Sequence, residues 1–328
     1  MSPLHLLAVA GTSLFVYLAI ALALVFWPTA PVANAGSTAS AELGRFIDAG
    51  TSIAPSPALR FEARDGSQRL YRLYGAGDDL LIFLHGSGAD SRYLSTFATR
   101  LSAAAGLRIA TLDMRGHGPE PVRRGDVDTV DQQEHDIADL AAILLRSAPK
   151  GRFLLGGHSM GGGLSIRYAA GAQVPRPAGL LLIAPFVHRK SPSARPGSGG
   201  WAAPRMLRFA GIEMLGRLGL RPYDHLPVIE FAIPPSAQDG NETRHYSWRL
   251  FTSVTPRDAW QTEIARLPAR TLVVAAGKDV IFRSEGYQAA FATRPGAEVE
   301  VLSDLGHFDL IRSDATISAA VAWLRRPN

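Results

Sequence analysis

The chain has 328 residues, of which 47% are hydrophobic and 19% are charged, and this is enough to bury the core of one large α/β domain. It contains no cysteine, which excludes disulfides, thiolate catalysis and cysteine-ligated metal sites. The formal net charge is +5, but basic and acidic residues are interspersed along most of the chain, so nucleic acid is not an expected partner.

The first predicted element is an uncharged apolar segment, Leu6 to Trp27. Its 22 residues would extend about 33 Å as a helix, which is enough to cross a bilayer. We therefore expect residues 1–28 to form a single-pass membrane anchor. Lys and Arg residues are sparse on both flanks of the segment, so they do not indicate which side of the membrane holds the rest of the chain. The alternative is a signal peptide cleaved after Ala33-Asn34-Ala35, which would leave a secreted or periplasmic protein.

Residues 29–57 are rich in small residues and proline. This composition predicts a linker with one short helix near residues 41–49. The main domain is then expected to cover residues 58–328. It opens with a hairpin signal, because residues 59–63 and 68–74 flank Asp65-Gly66.

Two apolar runs that end in glycine-rich turns follow. Leu80–Leu84 leads into His85-Gly86-Ser87-Gly88, and residues 107–112 lead into a turn that contains Asp113 and His117. Each pattern is typical of a buried strand that ends in a tight turn. We expect His85, His117 and Asp113 to have structural roles, because the sequence offers a better-placed nucleophile further on.

That nucleophile is Ser159, in the motif Gly157-His158-Ser159-Met160-Gly161. The motif follows an apolar run and precedes a segment compatible with a helix, which is the context of a nucleophile elbow. The two glycines are expected because side chains there would collide with the neighbouring strand and helix. The N–H of Met160, at a helix N-terminus, is placed to stabilise an oxyanion.

Residues 186–262 separate two predicted strands and have the size of a cap over an active site. Between His188 and His225 the sequence carries seven Lys or Arg and two acids, and a stretch compatible with a helix, from Trp201 to Leu218. Two interpretations stay open. The segment is either a lid helix over its own pocket, or a cap that rests on an anionic bilayer and admits acyl chains.

Candidate partners for the serine lie further downstream. The buried strand Thr271–Ala276 is followed by Asp279, and residues 298–302 are followed by His307, which precedes a helix predicted over 309–325. A serine needs a base to accept its proton, and the base needs a carboxylate to fix its tautomer. The order Ser159, Asp279, His307 is that of an α/β-hydrolase triad. Asp304 and Asp309 are weaker candidates for the acid.

Together, these motifs resemble the α/β-hydrolases of the monoacylglycerol lipase and lysophospholipase kind. The resemblance covers residue 80 to the C-terminus. It implies an α/β-hydrolase fold, with a mostly parallel central sheet, helices on both faces and a cap, preceded here by the N-terminal helix. It also implies that the N–H groups of Ser87 and Met160 form the oxyanion hole, and that neither cofactor nor metal is used.

The function expected from this resemblance is hydrolysis of a carboxylic ester through an acyl-enzyme. The expected substrates are monoacyl lipids such as monoacylglycerol or lysophospholipid, and the expected partners are such an ester and the membrane. Three alternatives stay open: an acyltransferase or a short-peptide peptidase on the same triad, and a non-catalytic, membrane-anchored binding module.

Overall fold

The computed structural model describes residues 2–28, 36–50 and 53–326; the candidate signal cleavage site lies outside them. The strands in this part of the chain are β1 (Leu59–Glu62), β2 (Gln68–Tyr74), β3 (Leu80–Leu84), β4 (Arg108–Leu112), β5 (Phe153–His158), β6 (Gly179–Ile183), β7 (Ala202–Pro204), β8 (Pro227–Phe231), β9 (His245–Ser247), β10 (Thr271–Ala276) and β11 (Ala297–Leu302). The helices are α1 (Pro3–Val25), α2 (Thr38–Asp48), α3 (Ser95–Ala105), α4 (Gln132–Leu145), α5 (Met160–Ala170), α6 (Met206–Arg217), α7 (Trp248–Val254), α8 (Trp260–Arg266), α9 (Gly286–Ala290) and α10 (Asp314–Arg325).

An eight-stranded sheet in the order β1-β2-β4-β3-β5-β6-β10-β11 forms the centre of the fold. The hairpin β1–β2 is antiparallel, as the sequence predicts, and β2 pairs antiparallel with β4, whereas the remaining pairs are parallel. Strands β3, β4, β5, β6 and β10 are buried along their whole length, because helices cover both faces of the sheet. The carboxyl ends of these strands meet at one edge, and the loops that carry the candidate residues meet there too.

The cap contains a second, three-stranded antiparallel sheet, β7-β8-β9, beside α6. The sequence interpretation missed this sheet, because strands of three to five residues are too short for a recognisable alternation. The helix expected from Trp201 to Leu218 covers only Met206–Arg217. Trp201 precedes β7 and is buried against Phe231 and Phe308.

Helix α2 changes the interpretation of residues 29–57 as a linker. The helix packs against the hydrolase domain, and its Glu42 and Phe46 are 7% and 4% exposed. Its apolar residues recur with helical spacing, so that one face, with Leu43, Phe46 and Ile47, turns to the domain. The boundary at residue 58 therefore separates α2 from the domain on which it packs.

The C-terminal helix begins later than the sequence predicts. Residues Asp309–Ile311 form a turn of 3₁₀-helix, and α10 begins only at Asp314. The reason is a capping residue that the prediction passed over: the Ser313 hydroxyl accepts a hydrogen bond from the N–H of Ala315 at 3.1 Å.

Helix α1 is the one helix in the described part of the chain that is long and apolar enough to cross a membrane, with a mean hydropathy of 2.3. Its first four turns are exposed, whereas Ala21 and Val25 are fully buried against the cap helix α6. Gly211 makes this contact close, because a Cβ there would lie 2.6 Å from the carbonyl oxygen of Ala21.

Candidate active site

Ser159 lies in a sharp turn between β5 and α5, at the carboxyl edge of the sheet. Its φ is 55° and its ψ is −117°, a conformation that costs a non-glycine residue energy and recurs at functional sites. The flanking glycines are required sterically. A Cβ at Gly157 would lie 2.4 Å from the carbonyl carbon of Gly161, and one at Gly161 would lie 2.4 Å from the carbonyl oxygen of Leu84.

The loops after β10 and β11 bring Asp279 and His307 together. Asp279 Oδ2 accepts a hydrogen bond from His307 Nδ1 at 2.8 Å, and both side chains are 1% exposed. The other oxygen, Oδ1, accepts the N–H groups of Ile281 and Phe282 at 2.7 and 2.8 Å. These bonds fix the carboxylate and leave Nε2 of the imidazole without the proton, which is the tautomer that a general base requires.

Ser159 and His307 line the same cavity, although no hydrogen bond joins their side chains in the described structure. Such bonds are often long in unliganded enzymes and tighten with substrate. The two weaker candidates for the acid lie elsewhere. Asp304 is exposed beside Lys278, and Asp309 Oδ2 accepts the N–H of Gly306 at 3.0 Å.

The predicted oxyanion residues flank the serine. Met160 is the first residue of α5, so its N–H has no acceptor inside the helix. Ser87 lies in the turn after β3 and lines the cavities on both sides of Ser159. Its hydroxyl accepts a hydrogen bond from the indole Nε1 of Trp201 at 2.9 Å, which ties the turn to the cap.

A tyrosine–histidine pair binds the backbone N–H of Gly86, the residue before Ser87. The Gly86 N–H donates to the hydroxyl of Tyr93 at 2.7 Å, and this hydroxyl lies 2.8 Å from His158 Nδ1. Since His158 Nε2 lies 3.2 Å from the carbonyl oxygen of His307, the ring proton is on Nε2, and Nδ1 accepts from the tyrosine. Burial lowers the pKa of His158, aided by the nearby His307. The ring is therefore neutral.

A second tyrosine–histidine pair binds the backbone N–H of Gly88, the residue after Ser87. The Gly88 N–H donates to the hydroxyl of Tyr246 at 3.0 Å, and that hydroxyl donates to His117 Nε2 at 2.7 Å. His117 Nδ1 donates to the Arg115 carbonyl oxygen at 2.9 Å. Burial, and next the neighbouring His85, lower the pKa of His117. The sequence interpretation assigns His117 a structural role, and these bonds supply one.

Helix α2 contacts the histidine loop directly. Glu42 Oε1 accepts the N–H of Phe308, the residue after His307, at 3.1 Å. The rings of Phe46 and Phe308 are 6.0 Å apart, and the guanidinium of Arg312 lies 3.5 Å from the centre of the Phe46 ring. Burial raises the pKa of Glu42 above its ordinary value, although its hydrogen bond to Phe308 acts in the opposite direction.

Two cavities meet at Ser159, and Ser87 and Trp201 also line both of them. The first, which we call the cap cavity, has a volume of about 320 Å³ and lies beneath α6. The second, which we call the α2 cavity, has a volume of about 280 Å³. The cap cavity is lined mainly by apolar side chains, among them Phe186, Met206, Phe209, Val228, Phe231, Phe251 and Phe282. The α2 cavity is lined by Leu43, Phe46, Ile47 and Phe308 together with charged residues that include Asp90, Arg92, Asp239 and Glu242.

Comparison with known proteins shows which family has this fold. A family model described as the alpha/beta hydrolase family matches residues 81–320. The chain belongs to the α/β-hydrolase family. This confirms the fold class that the sequence motifs predict.

Curated relatives of this α/β-hydrolase are distant. Protein phosphatase methylesterase 1 from Bos taurus is 30% identical over 115 residues, which is 34% of this chain and 30% of that protein. The match thus spans less than a third of the methylesterase. An acetyltransferase component of the acetoin cleaving system from Pseudomonas putida is 28% identical over 298 residues, covering 85% of this chain and 72% of that protein.

Solved structures that this α/β-hydrolase resembles include lipases and esterases. Monoglyceride lipase from Saccharomyces cerevisiae superposes with a TM-score of 0.62 at 14% identity, covering 84% of this chain and 96% of that one. A carboxyl esterase from Bacillus coagulans superposes with a TM-score of 0.60 at 17% identity, covering 83% and 98%. At such identities the likeness establishes the fold alone.

Several residues around the site escaped the sequence interpretation. Glu42 was missed because it precedes the predicted domain boundary. Tyr246 was missed because it lies in a short cap strand, far in sequence from the Gly88 N–H that it binds. His158 lies inside the serine motif, but only the fold shows that it forms a pair with Tyr93. No group of three or more potential ligands able to hold a metal ion occurs within the residues described.

Proposed function

We propose that this protein is a serine hydrolase that cleaves carboxylic esters through an acyl-enzyme intermediate. The observation that carries the proposal is the hydrogen bond between His307 and Asp279 beside Ser159, which stands in a strained elbow. The constellation has the residue types and chain order of an α/β-hydrolase triad. A binding module would have no need for a serine in this strained conformation, because the rest of the fold must offset its energetic cost.

In the proposed mechanism, Ser159 Oγ attacks the ester carbonyl while His307 Nε2 accepts the hydroxyl proton. Asp279 holds Nδ1–H and stabilises the imidazolium. The N–H groups of Ser87 and Met160 bind the oxyanion. The imidazolium then protonates the departing alcohol. A water molecule, deprotonated by His307, attacks the acyl carbonyl, and the imidazolium returns the proton to Ser159 Oγ as the acyl–Oγ bond breaks and the acid leaves.

The proposed substrates are monoacyl lipids such as monoacylglycerol or lysophospholipid. The lining of the cap cavity supports this class, because an apolar pocket that ends at the nucleophile suits an acyl chain. The α2 cavity is lined in part by charged residues and suits the alcohol or head group. The monoglyceride lipases among the similar structures are consistent with this substrate class.

Labelling with a fluorophosphonate probe tests the nucleophile. We expect the wild type to be labelled and Ser159→Ala not to be. Ester turnover should fall by at least about 10³-fold in the variant. Ser165→Ala is a matched control, because Ser165 is a buried serine of α5 that donates to the carbonyl oxygen of Gly161. Absence of labelling in a folded wild type would favour the binding module.

Product analysis separates the remaining alternatives. We expect the rate on p-nitrophenyl esters to rise from acetyl to medium or long acyl chains, because longer chains bury more of the apolar cap cavity. Acyl transfer to an added alcohol in preference to water would identify an acyltransferase. Preference for aminoacyl amides over acyl esters would identify a peptidase.

We further propose that α1 is retained as a membrane anchor. Its contacts with the cap support retention, because cleavage after Ala35 would expose the apolar side of α6 that Ala21 and Val25 cover. The hydroxyl of Tyr17 donates to the carbonyl oxygen of Met214 at 3.0 Å, and Arg208 Nε donates to that of Val25 at 3.0 Å. A secreted or periplasmic protein without α1 would lose these bonds.

A further inference from the structure

The pairing of α1 with α6 has a fixed direction. Tyr17 bonds to Met214, whereas Val25, two turns further along α1, bonds to Arg208. The two helices are therefore antiparallel. The C-terminal end of α6 points toward the N-terminal, exposed part of α1.

This direction limits how much of α1 is free to cross a bilayer. The 14 residues Pro3–Val16 precede Tyr17 and are all exposed, and as a helix they extend about 21 Å. The hydrocarbon core of a bilayer is about 30 Å thick. A cap held wholly outside the core would leave the anchor about 9 Å short, and any tilt of α1 would increase the shortfall.

The end of α6 has the composition of a surface that enters a membrane. We call residues 217–222 the cap tip; all six are exposed. Leu218 and Leu220 are 44% and 45% exposed, and Gly219 has a φ of 76° and turns the chain. Arg217 and Arg221 flank the two leucines. Arg221 pairs with Asp224 at 3.6 Å and lies over the ring of Trp248, whereas the exposed Arg217 can extend back to lipid phosphates while its apolar stem stays buried.

We infer that the cap tip enters the near leaflet of the membrane beside α1, with the opposite end of α6 at the lipid headgroups. This inference rests on the proposed retention of α1 as an anchor. The apolar tip and the end of α6 supply the depth that the free part of α1 lacks, and Arg217 favours anionic lipid. Met206 and Phe209 of α6 line the cap cavity, so this placement brings the cavity to the membrane surface that holds a monoacyl lipid.

Site-specific fluorescence in the full-length chain tests this placement. The protein has no cysteine, so single cysteines can be introduced at Leu7, Leu207, Leu220 and Lys150, which are all exposed, and labelled with an environment-sensitive dye. Leu207 lies at the other end of α6. Lys150 precedes β5, at the edge of the sheet opposite the cap. The labelled proteins are reconstituted in phosphatidylcholine–phosphatidylglycerol vesicles that contain spin-labelled lipid.

We expect strong quenching and a blue-shifted emission for Leu7→Cys and Leu220→Cys. Leu207→Cys should be quenched mainly by lipid labelled near the headgroup, and Lys150→Cys should not be quenched. Equal quenching at 207 and 220 would mean that α6 lies flat on the surface and would overturn the inference. So would quenching at 7 without quenching at 220, which would instead mean that the bilayer thins around a short anchor. Absence of quenching at 7 would overturn both the inference and the proposed anchor.

A kinetic comparison links the tip to substrate access. Leu220→Asp should lower turnover of a monoacylglycerol held in vesicles by about 10-fold or more and leave hydrolysis of p-nitrophenyl acetate unchanged. Equal rates on the vesicle substrate would contradict a role of the tip in substrate access. Inactivity of the wild type on both substrates would contradict the proposed hydrolase, whereas the fluorescence experiment would still report the position of the tip.

Discussion

At the residue scale, two tyrosine hydroxyls hold the turn that carries Ser87. Each accepts the backbone N–H of one glycine beside Ser87, Gly86 or Gly88. Each tyrosine hydroxyl has a single proton and donates it to a neutral histidine, so its oxygen is free to accept a glycine N–H. Buried polar groups are costly unless they are satisfied. The two pairs therefore fix the turn in the one arrangement in which every member has a partner.

Replacement of Tyr93 by Phe tests this arrangement. The change leaves the Gly86 N–H and His158 Nδ1 buried without a partner, and we expect a loss of about 1–3 kcal/mol in the free energy of unfolding. Displacement of the turn should lower kcat roughly 10-fold, about 1.4 kcal/mol in the barrier, with little change in KM. Steady-state kinetics on a short p-nitrophenyl ester and urea denaturation measure both effects.

The control is Tyr168→Phe. Tyr168 is buried and donates its hydroxyl to the carbonyl oxygen of Pro175 at 2.9 Å, away from the site. The Tyr168→Phe variant should be less stable than the wild type but should keep the wild-type kcat. Equal kcat values in the two variants would show that Tyr93 does not position the oxyanion turn.

Glu42 should give the protein a pH-dependent stability. Its pKa is raised by burial above 4.5, so the folded state binds more protons than the unfolded state between 4.5 and the raised value. Stability therefore falls as the pH rises through this range. Glu42→Gln keeps an oxygen acceptor for the Phe308 N–H and removes the titration. We expect the melting temperature of the variant, relative to the wild type, to be higher at pH 8 than at pH 4.

Differential scanning calorimetry at the two pH values provides the measurement. Glu62→Gln, at an exposed carboxylate of β1, controls for the loss of one negative charge. A difference in melting temperature between the wild type and Glu42→Gln that does not change with pH would contradict a raised pKa of Glu42.

At the scale of elements, α2 acts as a wall of the site although it precedes the main domain in sequence. It contacts the loop after His307 through Glu42 and Phe46, and Ser37, which caps its N-terminus, lies against Gly200. A single short helix thus joins the histidine loop to the cap. Its removal would open the α2 cavity to solvent.

Replacement of Phe46 by Ala tests this role. The ring is 4% exposed, and truncation of a buried phenylalanine costs about 3–5 kcal/mol. Chemical denaturation should show this loss, and KM for a monoacyl ester should rise because the ring lines the α2 cavity. Ile53→Ala is the control, since Ile53 lies in the same pre-domain stretch and is 39% exposed. Similar stability losses in the two variants would mean that α2 is not integral to the fold.

At the scale of the whole molecule, the proposed anchor and the cap form one unit. A small apolar cluster separate from the main core joins Ala21 and Val25 of α1 to Ile212 and Leu215 of α6. The close contact at Gly211 leaves no room for a side chain between the helices. The proposed anchor therefore packs on the cap instead of serving only as a tether.

Intact-mass analysis of protein purified from membranes tests retention of α1. We expect the mass to include residues 1–35, because their removal would expose the apolar face of α6. A mature N-terminus at Gly36 would contradict the proposed anchor and support the signal peptide. The hydrolase domain and α2 would be complete in either case.

The sequence by itself determined the elements with local causes. Continuous apolar runs are typical of strands that are buried on both faces, and Gly157 and Gly161 mark a turn that tolerates no side chain. These patterns can be recognised because each depends on a few neighbouring residues, and the chain order of Ser159, Asp279 and His307 is read directly from the sequence. The assignment of the three as a catalytic triad stays a prediction that the labelling experiment tests.

Only the tertiary structure decided what depends on distant pairings. Glu42 lies 266 residues from the N–H that it binds, and Tyr246 lies 158 residues from Gly88. The cap sheet exists because β7, β8 and β9 pair with one another, not because any of these short strands has a strong pattern. A hydrogen bond between remote loops leaves no periodic signal in the chain, since it depends on how the whole sheet brings the loops together.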